Sequence, residues 1–240
     1  MALSASKLAH LKKLSNSAGV IAAAAMDQRG SLKKSLAAAK GVSDKEISEE
    51  MMSDFKVAVS KALTPHASAI LLDTEYGLKA AAARSANAGL LLAYELSGYD
   101  NTQPGRLPDL IPELSALRIK ELGADAVKIL IYYAPGDDPK INTIKHAFVE
   151  RIGAECETVG VPFFLEFIGY DPAGGDEKGL TFASKKPQIV IDSMAEFSKP
   201  QYHVDMLKVE VPINPAFVEG SRGFKGDDAA YTREIGRAHV

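Results

Sequence analysis

Val20-Ile21-Ala22-Ala23-Ala24-Ala25-Met26-Asp27-Gln28-Arg29-Gly30 is the stretch whose reading decides the fold. Seven apolar residues without polar alternation, entered from Gly19 and left through Asp27, describe a strand buried on both faces, as in a parallel sheet covered by helices. An open dinucleotide-binding sheet would follow this strand with a G-x-G-x-x-G turn. Here an acid and a glutamine follow instead. A charged residue at the carboxyl end of a buried strand is the mark of a (β/α) barrel, whose site is assembled on that rim.

The same unit recurs along the chain. Short apolar runs at Ala69–Asp73, Leu90–Glu95, Ala126–Tyr132, Pro162–Phe167 and Met206–Glu210 alternate with helical patterns at Pro112–Leu122, Ile144–Val159 and Ile189–Phe197. Ser43 with Glu46 predicts a capping box that opens a helix running toward Leu63. Leu8, Leu11 and Leu14 predict an amphipathic helix over Ser4–Ser15 that caps the fold. Strands alternating with helices, with no shift in composition, predict an α/β chain of one domain. Six units fall short of a complete (β/α)8 TIM barrel, which takes roughly 250 residues. The expectation is a barrel truncated after its sixth strand, with the first and sixth strands left as open edges.

The chain has 240 residues, 46% of them hydrophobic and 25% charged, which is ample for a folded core and excludes disorder. A net charge of -3 offers no basic stripe for nucleic acid, and no apolar run approaches the ~20 residues of a membrane span. The amino terminus lacks a signal-peptide pattern, so a cytoplasmic protein acting on a small molecule is expected. Five scattered histidines and one cysteine form no metal-ligand motif, so neither metal nor cofactor is expected. Cys156 reads as inert packing on a helix. The glycine-rich Asp171–Gly179 lacks P-loop spacing and reads as a mobile rim loop.

Lys128 and Lys208 are the anomalies, each set inside an apolar strand, where lysine is rare unless paired. Strand alternation allows both to enter one interior layer, where burial and a like charge are expected to depress their pKa values and yield a nucleophilic amine. Glu166, between Leu165 and Phe167 on the intervening strand, is a candidate proton shuttle, and Asp27 adds a carboxylate on the same rim. The set suits Schiff-base chemistry on a carbonyl. Structural readings compete with it: a salt bridge for Lys128 or Glu166, a helix N-cap for Asp27. Asp73 and Glu95 read more naturally as structural strand-end acids.

Five segments also resemble the class I tagatose-1,6-bisphosphate aldolase family. They are Met26-Asp27-Gln28-Arg29-Gly30; Leu90–Glu95 with Gly98-Tyr99-Asp100; Ala126-Val127-Lys128 before Tyr132-Tyr133; Phe164-Leu165-Glu166 with Tyr170-Asp171; and Lys208-Val209-Glu210-Val211-Pro212 before Phe217-Val218-Glu219-Gly220. They occur in order within a resemblance that runs from about residue 7 to 233. The resemblance implies a metal-independent aldolase that cleaves tagatose 1,6-bisphosphate to dihydroxyacetone phosphate and glyceraldehyde 3-phosphate, as in tagatose 6-phosphate degradation, and suggests a homodimer. It implies Lys208 as the Schiff-base lysine and Glu166 as general acid/base. Lys128 and Asp27 would bind substrate and assist proton transfer, and Gln28 would bind substrate. It leaves open a related ketose phosphate, such as fructose 1,6-bisphosphate or a sulfofructose phosphate, and a sugar-phosphate-sensing regulatory protein without turnover. Residues 234–240 depart from the family pattern and read as an adapter-derived tail outside the 1–233 domain, so such a chain is expected to be poorly soluble and weakly active.

Overall fold

The computed structural model describes residues 3–99 and 103–224. Six parallel strands follow one another in sheet order as they do in sequence: β1 Ala23–Met26, β2 Ala69–Leu72, β3 Gly89–Ala93, β4 Ala126–Tyr133, β5 Phe163–Gly169 and β6 Met206–Val209. Helices α1 Ala5–Leu14, α2 Gly30–Lys40, α3 Glu49–Leu63, α4 Leu78–Ala83, α5 Ala116–Glu121, α6 Pro139–Val159 and α7 Leu180–Phe197 complete an α/β half-barrel. Asp27, at the end of β1, touches Lys128 of β4 at 2.7 Å. Two strands lie between them, so a flat sheet would hold their backbones about 14 Å apart. The sheet therefore curls, as the strand-end acids predicted. Among the described residues β1 and β6 each pair on one side only.

Side-chain alternation divides the fold into two apolar regions. Ile70, Leu72, Leu90, Leu92, Val127, Ile129, Ile131, Phe163, Leu165 and Phe167 face the helices and form the larger core with Val149, Ile152, Cys156 and Phe197. Their sequence neighbours of opposite parity, Ala69, Leu71, Leu91, Ala126 and Phe164, face inward. Leu14 of α1 packs on this inner set and closes the amino-terminal end. Gly89 is required there, because a Cβ would stand 2.8 Å from Leu14 and from the Lys13 carbonyl. Lys7 holds α1 in place by ion pairs to Glu157 at 2.7 Å and Asp205 at 2.8 Å. The helix thus caps the fold as its leucine spacing suggested.

Several boundaries differ from the sequence reading. The Ser43/Glu46 capping box exists, but it closes a single 3-10 turn, Asp44–Glu46, and Ser48 then caps α3 afresh. The weakly apolar α2 was not read at all. Helix α6 begins at Pro139 under an Asp138 cap. Helix α7 runs through Pro187, which cannot donate a backbone hydrogen bond and had made Ile189 look like a start. The strand at Pro162–Phe167 runs on to Gly169. Residues 234–240, read as a foreign tail, lie outside the described residues.

Candidate active site

The inner face changes character above the apolar floor. Along β4 the inward positions are Ala126, Lys128, Leu130 and Tyr132; along β5 they are Phe164, Glu166 and Ile168; along β6 they are Met206 and Lys208. Lys128 is in register with Phe164, and Phe164 with Met206, whereas Glu166 is paired with both Leu130 and Lys208. Lys208 therefore stands one pleat further along its strand than the register partner of Lys128, the stagger that strand tilt introduces in a curved sheet.

That stagger puts Glu166 between the two lysines. Lys208 Nζ donates to Glu166 Oε1 at 2.5 Å, and Lys128 Nζ lies 3.0 Å from Glu166 Oε2. Lys128 also donates to Asp27 Oδ2 at 2.7 Å and to Glu95 Oε1 at 3.2 Å. Arg29 donates to the Glu95 carbonyl at 3.0 Å and approaches Glu95 Oε1 at 3.4 Å. The result is a continuous lattice of three cations, Lys128, Lys208 and Arg29, and three carboxylates, Asp27, Glu95 and Glu166.

Burial separates the roles within the lattice. Lys128 is 1% exposed and Lys208 45% exposed. Burial works against the Lys128 ammonium, but Glu95, Asp27 and Glu166 outweigh it and hold the pKa well above that of an ordinary lysine. A close pair is worth on the order of 4 kcal/mol at an effective dielectric of 20; three such pairs exceed a desolvation penalty of several kcal/mol. The expected depression is therefore overturned for Lys128, because apolar strand neighbours in sequence conceal the carboxylates that curl brings in from β1, β3 and β5. Asp27 shows the complementary effect: burial opposes its charge, yet Lys128 holds its pKa below the usual carboxylate value. Burial pushes Glu95 the other way, up against the pull of Lys128 and Arg29. Its second oxygen, Oε2, is buried and makes no hydrogen bond.

These groups line a cleft of about 410 Å³ at the carboxyl ends of the strands, with Gln28, Tyr132 and Ile168 on its walls. All five positions read from the sequence, Asp27, Gln28, Lys128, Glu166 and Lys208, meet there. Asp27 is not a helix cap, since α2 begins three residues later, at Gly30, with Arg29 at the cap position and no side-chain cap bond. Asp73 is structural, as read: it accepts from the Tyr76 amide and pairs with the buried Lys56, which also donates to the Met26 and Gln28 carbonyls. Glu95 and Arg29 were missed as members of the lattice. In sequence Glu95 reads as a structural strand-end acid, and only its parity with Ala93 and Leu91 indicates that it faces inward. The loop 171–179, read from the sequence as a mobile rim loop, is held by ion pairs of Glu177 to Arg106 and of Asp171 to Lys185.

Among the described residues the strands form an unclosed (β/α) barrel whose carboxyl-end rim carries two strand lysines joined by one carboxylate, the kinds of group that amine chemistry on a carbonyl requires. The chain belongs to the DeoC/LacD family of aldolases, whose model matches residues 21–240. It is 56% identical over 229 residues to tagatose 1,6-diphosphate aldolase of Listeria monocytogenes, covering 95% of this chain and 66% of that one. It is 53% identical over 234 residues to tagatose 1,6-diphosphate aldolase 2 of Enterococcus faecalis, covering 98% of this chain and 69% of that one. The chain thus spans about two thirds of the length of these relatives. A solved structure from Corynebacterium glutamicum shares the fold at a TM-score of 0.52 and 15% identity, over 82% of this chain and 65% of that one.

Proposed function

We propose that the protein is a Schiff-base aldolase that cleaves tagatose 1,6-bisphosphate into dihydroxyacetone phosphate and glyceraldehyde 3-phosphate. The observation that carries this reading is the pairing of Lys208, solvent-accessible in the cleft, with Glu166 at 2.5 Å. The names of the two relatives as tagatose 1,6-diphosphate aldolases, at 56% and 53% identity, support the substrate.

In this reading Lys208 gives up a proton to Glu166 and attacks C2 of the ketose. Loss of water from the carbinolamine leaves an iminium, which draws the electron pair of the C3–C4 bond as a base removes the C4 hydroxyl proton. Glyceraldehyde 3-phosphate departs; the enamine is protonated at C3 and hydrolysed, releasing dihydroxyacetone phosphate and free Lys208. Glu166 is the proton carrier in contact with Lys208. Lys128, kept charged by its carboxylates, serves as a fixed cation that orients substrate oxygens and Asp27, with Gln28 as a further polar contact. The reading places the protein in the cytoplasm as a single domain acting on a small phosphorylated sugar.

The test is release of dihydroxyacetone phosphate from tagatose 1,6-bisphosphate in the presence of a chelator. Lys208→Met should abolish it, and Glu166→Gln should lower the rate by roughly 10²–10⁴-fold, the usual worth of a positioned acid/base. Release that persists in Lys208→Met refutes the assignment.

A further inference from the structure

Beyond the lysine lattice, the rim carries a second polar cluster for which the cleavage chemistry has no use. Arg106, on the segment between β3 and α5, lies 5.1 Å from the ring centroid of Tyr99, 5.3 Å from that of Tyr132 and 4.7 Å from that of Tyr170. Glu177, from the segment between β5 and α7, holds the guanidinium through two bonds, at 2.6 and 3.2 Å. The Tyr99 and Tyr132 rings meet edge to face at 4.6 Å. On its far side Tyr170 receives Lys145, which donates to the phenol oxygen at 2.9 Å and stands 4.7 Å from the ring centroid.

The backbone is committed to this arrangement. Arg106 has φ of 47°, a left-handed conformation that non-glycine residues adopt at a cost. Gly105 before it has φ of 86°, and a Cβ there would stand 2.5 Å from Ile141 of α6. The Tyr170 hydroxyl donates to Asp137, and its oxygen lies 3.2 Å from the Gly105 carbonyl. Strain of this kind persists only where the surroundings fix it, and here they fix one guanidinium against three phenol rings.

Only one of those rings faces the cleft. Tyr132 is on the same inward row of β4 as Lys128, and Lys208 is level, through Glu166, with Leu130, which places Tyr132 two residues, about 7 Å, further along the strands than the attacking amine. That offset is on the scale of the reach from C2 to the far phosphate of an extended six-carbon ketose bisphosphate and beyond the reach of a three-carbon one. From this geometry, and resting on the aldolase reading above, we infer that Arg106 is a positioning residue: clamped by Glu177, it fixes the Tyr132 ring as the far wall of the cleft and so favours six-carbon over three-carbon ketose phosphates.

Reductive labelling of Lys208 by borohydride separates this inference from the aldolase reading. The quantity read is the ketone concentration that half-saturates labelling, once with tagatose 1,6-bisphosphate, counting adducts of six and three carbons, and once with dihydroxyacetone phosphate. Arg106→Met should raise the value for the bisphosphate about tenfold, the effect of losing three weak cation–π contacts, and leave that for dihydroxyacetone phosphate within about twofold. Arg106→Lys keeps the charge but loses the planar fork and should fall between. Glu177→Gln weakens only the clamp, leaves the rings in place, and should shift the bisphosphate value in the same direction by less. Equal shifts for both ketones, or none for either in these variants, overturn the role of Arg106 while leaving Lys208 in place. No label with either ketone in the unsubstituted protein overturns the aldolase reading and this inference with it.

Discussion

Replacing Lys128 with methionine preserves most of the side-chain volume and removes one charge, and its cost follows from the contacts. Three carboxylates lie within 2.7 to 3.2 Å of the ammonium, which is itself buried. Without it Asp27, Glu95 and Glu166 face one another, and only Arg29 and Lys208 remain to offset them. Breaking a buried pair by removing one partner costs about 3–5 kcal/mol, a large share of a folding free energy of about 5–15 kcal/mol. The deficit also has a pH signature. In the parent, Asp27 is held below its unfolded value by Lys128, so its contribution is complete above the unfolded value of about 3.9 and is lost as pH falls through the lower folded one. In the variant the cause of that depression is gone, and the crowded carboxylates bind protons more readily folded than unfolded. Acidification therefore relieves the variant more than the parent, in which burial already raises Glu95 but Lys128 holds Asp27 down. Urea unfolding of both at pH 7 and pH 5 should give a difference of about 3–5 kcal/mol that shrinks to below about 2 kcal/mol at the lower pH. A difference under about 1 kcal/mol at pH 7, or one that does not change with pH, refutes the reasoning that three carboxylates depend on this ammonium.

Three further outcomes are expected. Gly153→Ala should destabilise by about 1–3 kcal/mol in urea unfolding, because the added Cβ would stand 2.0 Å from the Tyr202 carbonyl oxygen and backbone must shift. Lys145 is buried beneath Tyr170 with its pKa pushed down to about 8 by burial, so between that value and the unfolded one near 10.4 the unfolded chain binds more protons and the lysine's contribution rises with pH. The stability difference between Lys145→Met and the parent should accordingly move in the parent's favour from pH 7 to pH 9.5, and a difference flat over that range contradicts the assignment. Cys156 is fully buried and burial pushes its thiol well up, so iodoacetamide should leave it unmodified in the native protein and label it on unfolding, as peptide mass mapping would show.

Much of this site was legible before any coordinates because strand alternation is a rigid rule. Lys128, Glu166 and Lys208 each interrupt an apolar run at a position of one parity, and Asp27 closes the first run; curling the sheet is enough to bring them together. The electrostatics were not legible, because the charge state of Lys128 depends on Glu95 and Asp27 as much as on the residues around it in sequence. Glu95 follows Tyr94, just past the end of β3, and only its inward parity separates it from Asp73, an acid at the end of β2 that points to Lys56 on α3. Helix limits were the least visible feature. Pro187 disguises the first half of α7, and α2 has only Leu32 and Leu36 to mark an apolar face, both of them packed beside Ala37, Ile47 and Met52. The Arg106 cluster escaped sequence reading entirely, because its members are dispersed among separate segments and are joined only where the rim loops cross.

The central claim is that Lys208 is the amine that captures the ketose. Incubation with dihydroxyacetone phosphate and a chelator, reduction by borohydride and peptide mass mapping test it directly. The account predicts one stable adduct, on the peptide carrying Lys208, and none when Lys208 is replaced by methionine. A folded protein that forms no adduct, or forms it on Lys128 instead, would contradict it.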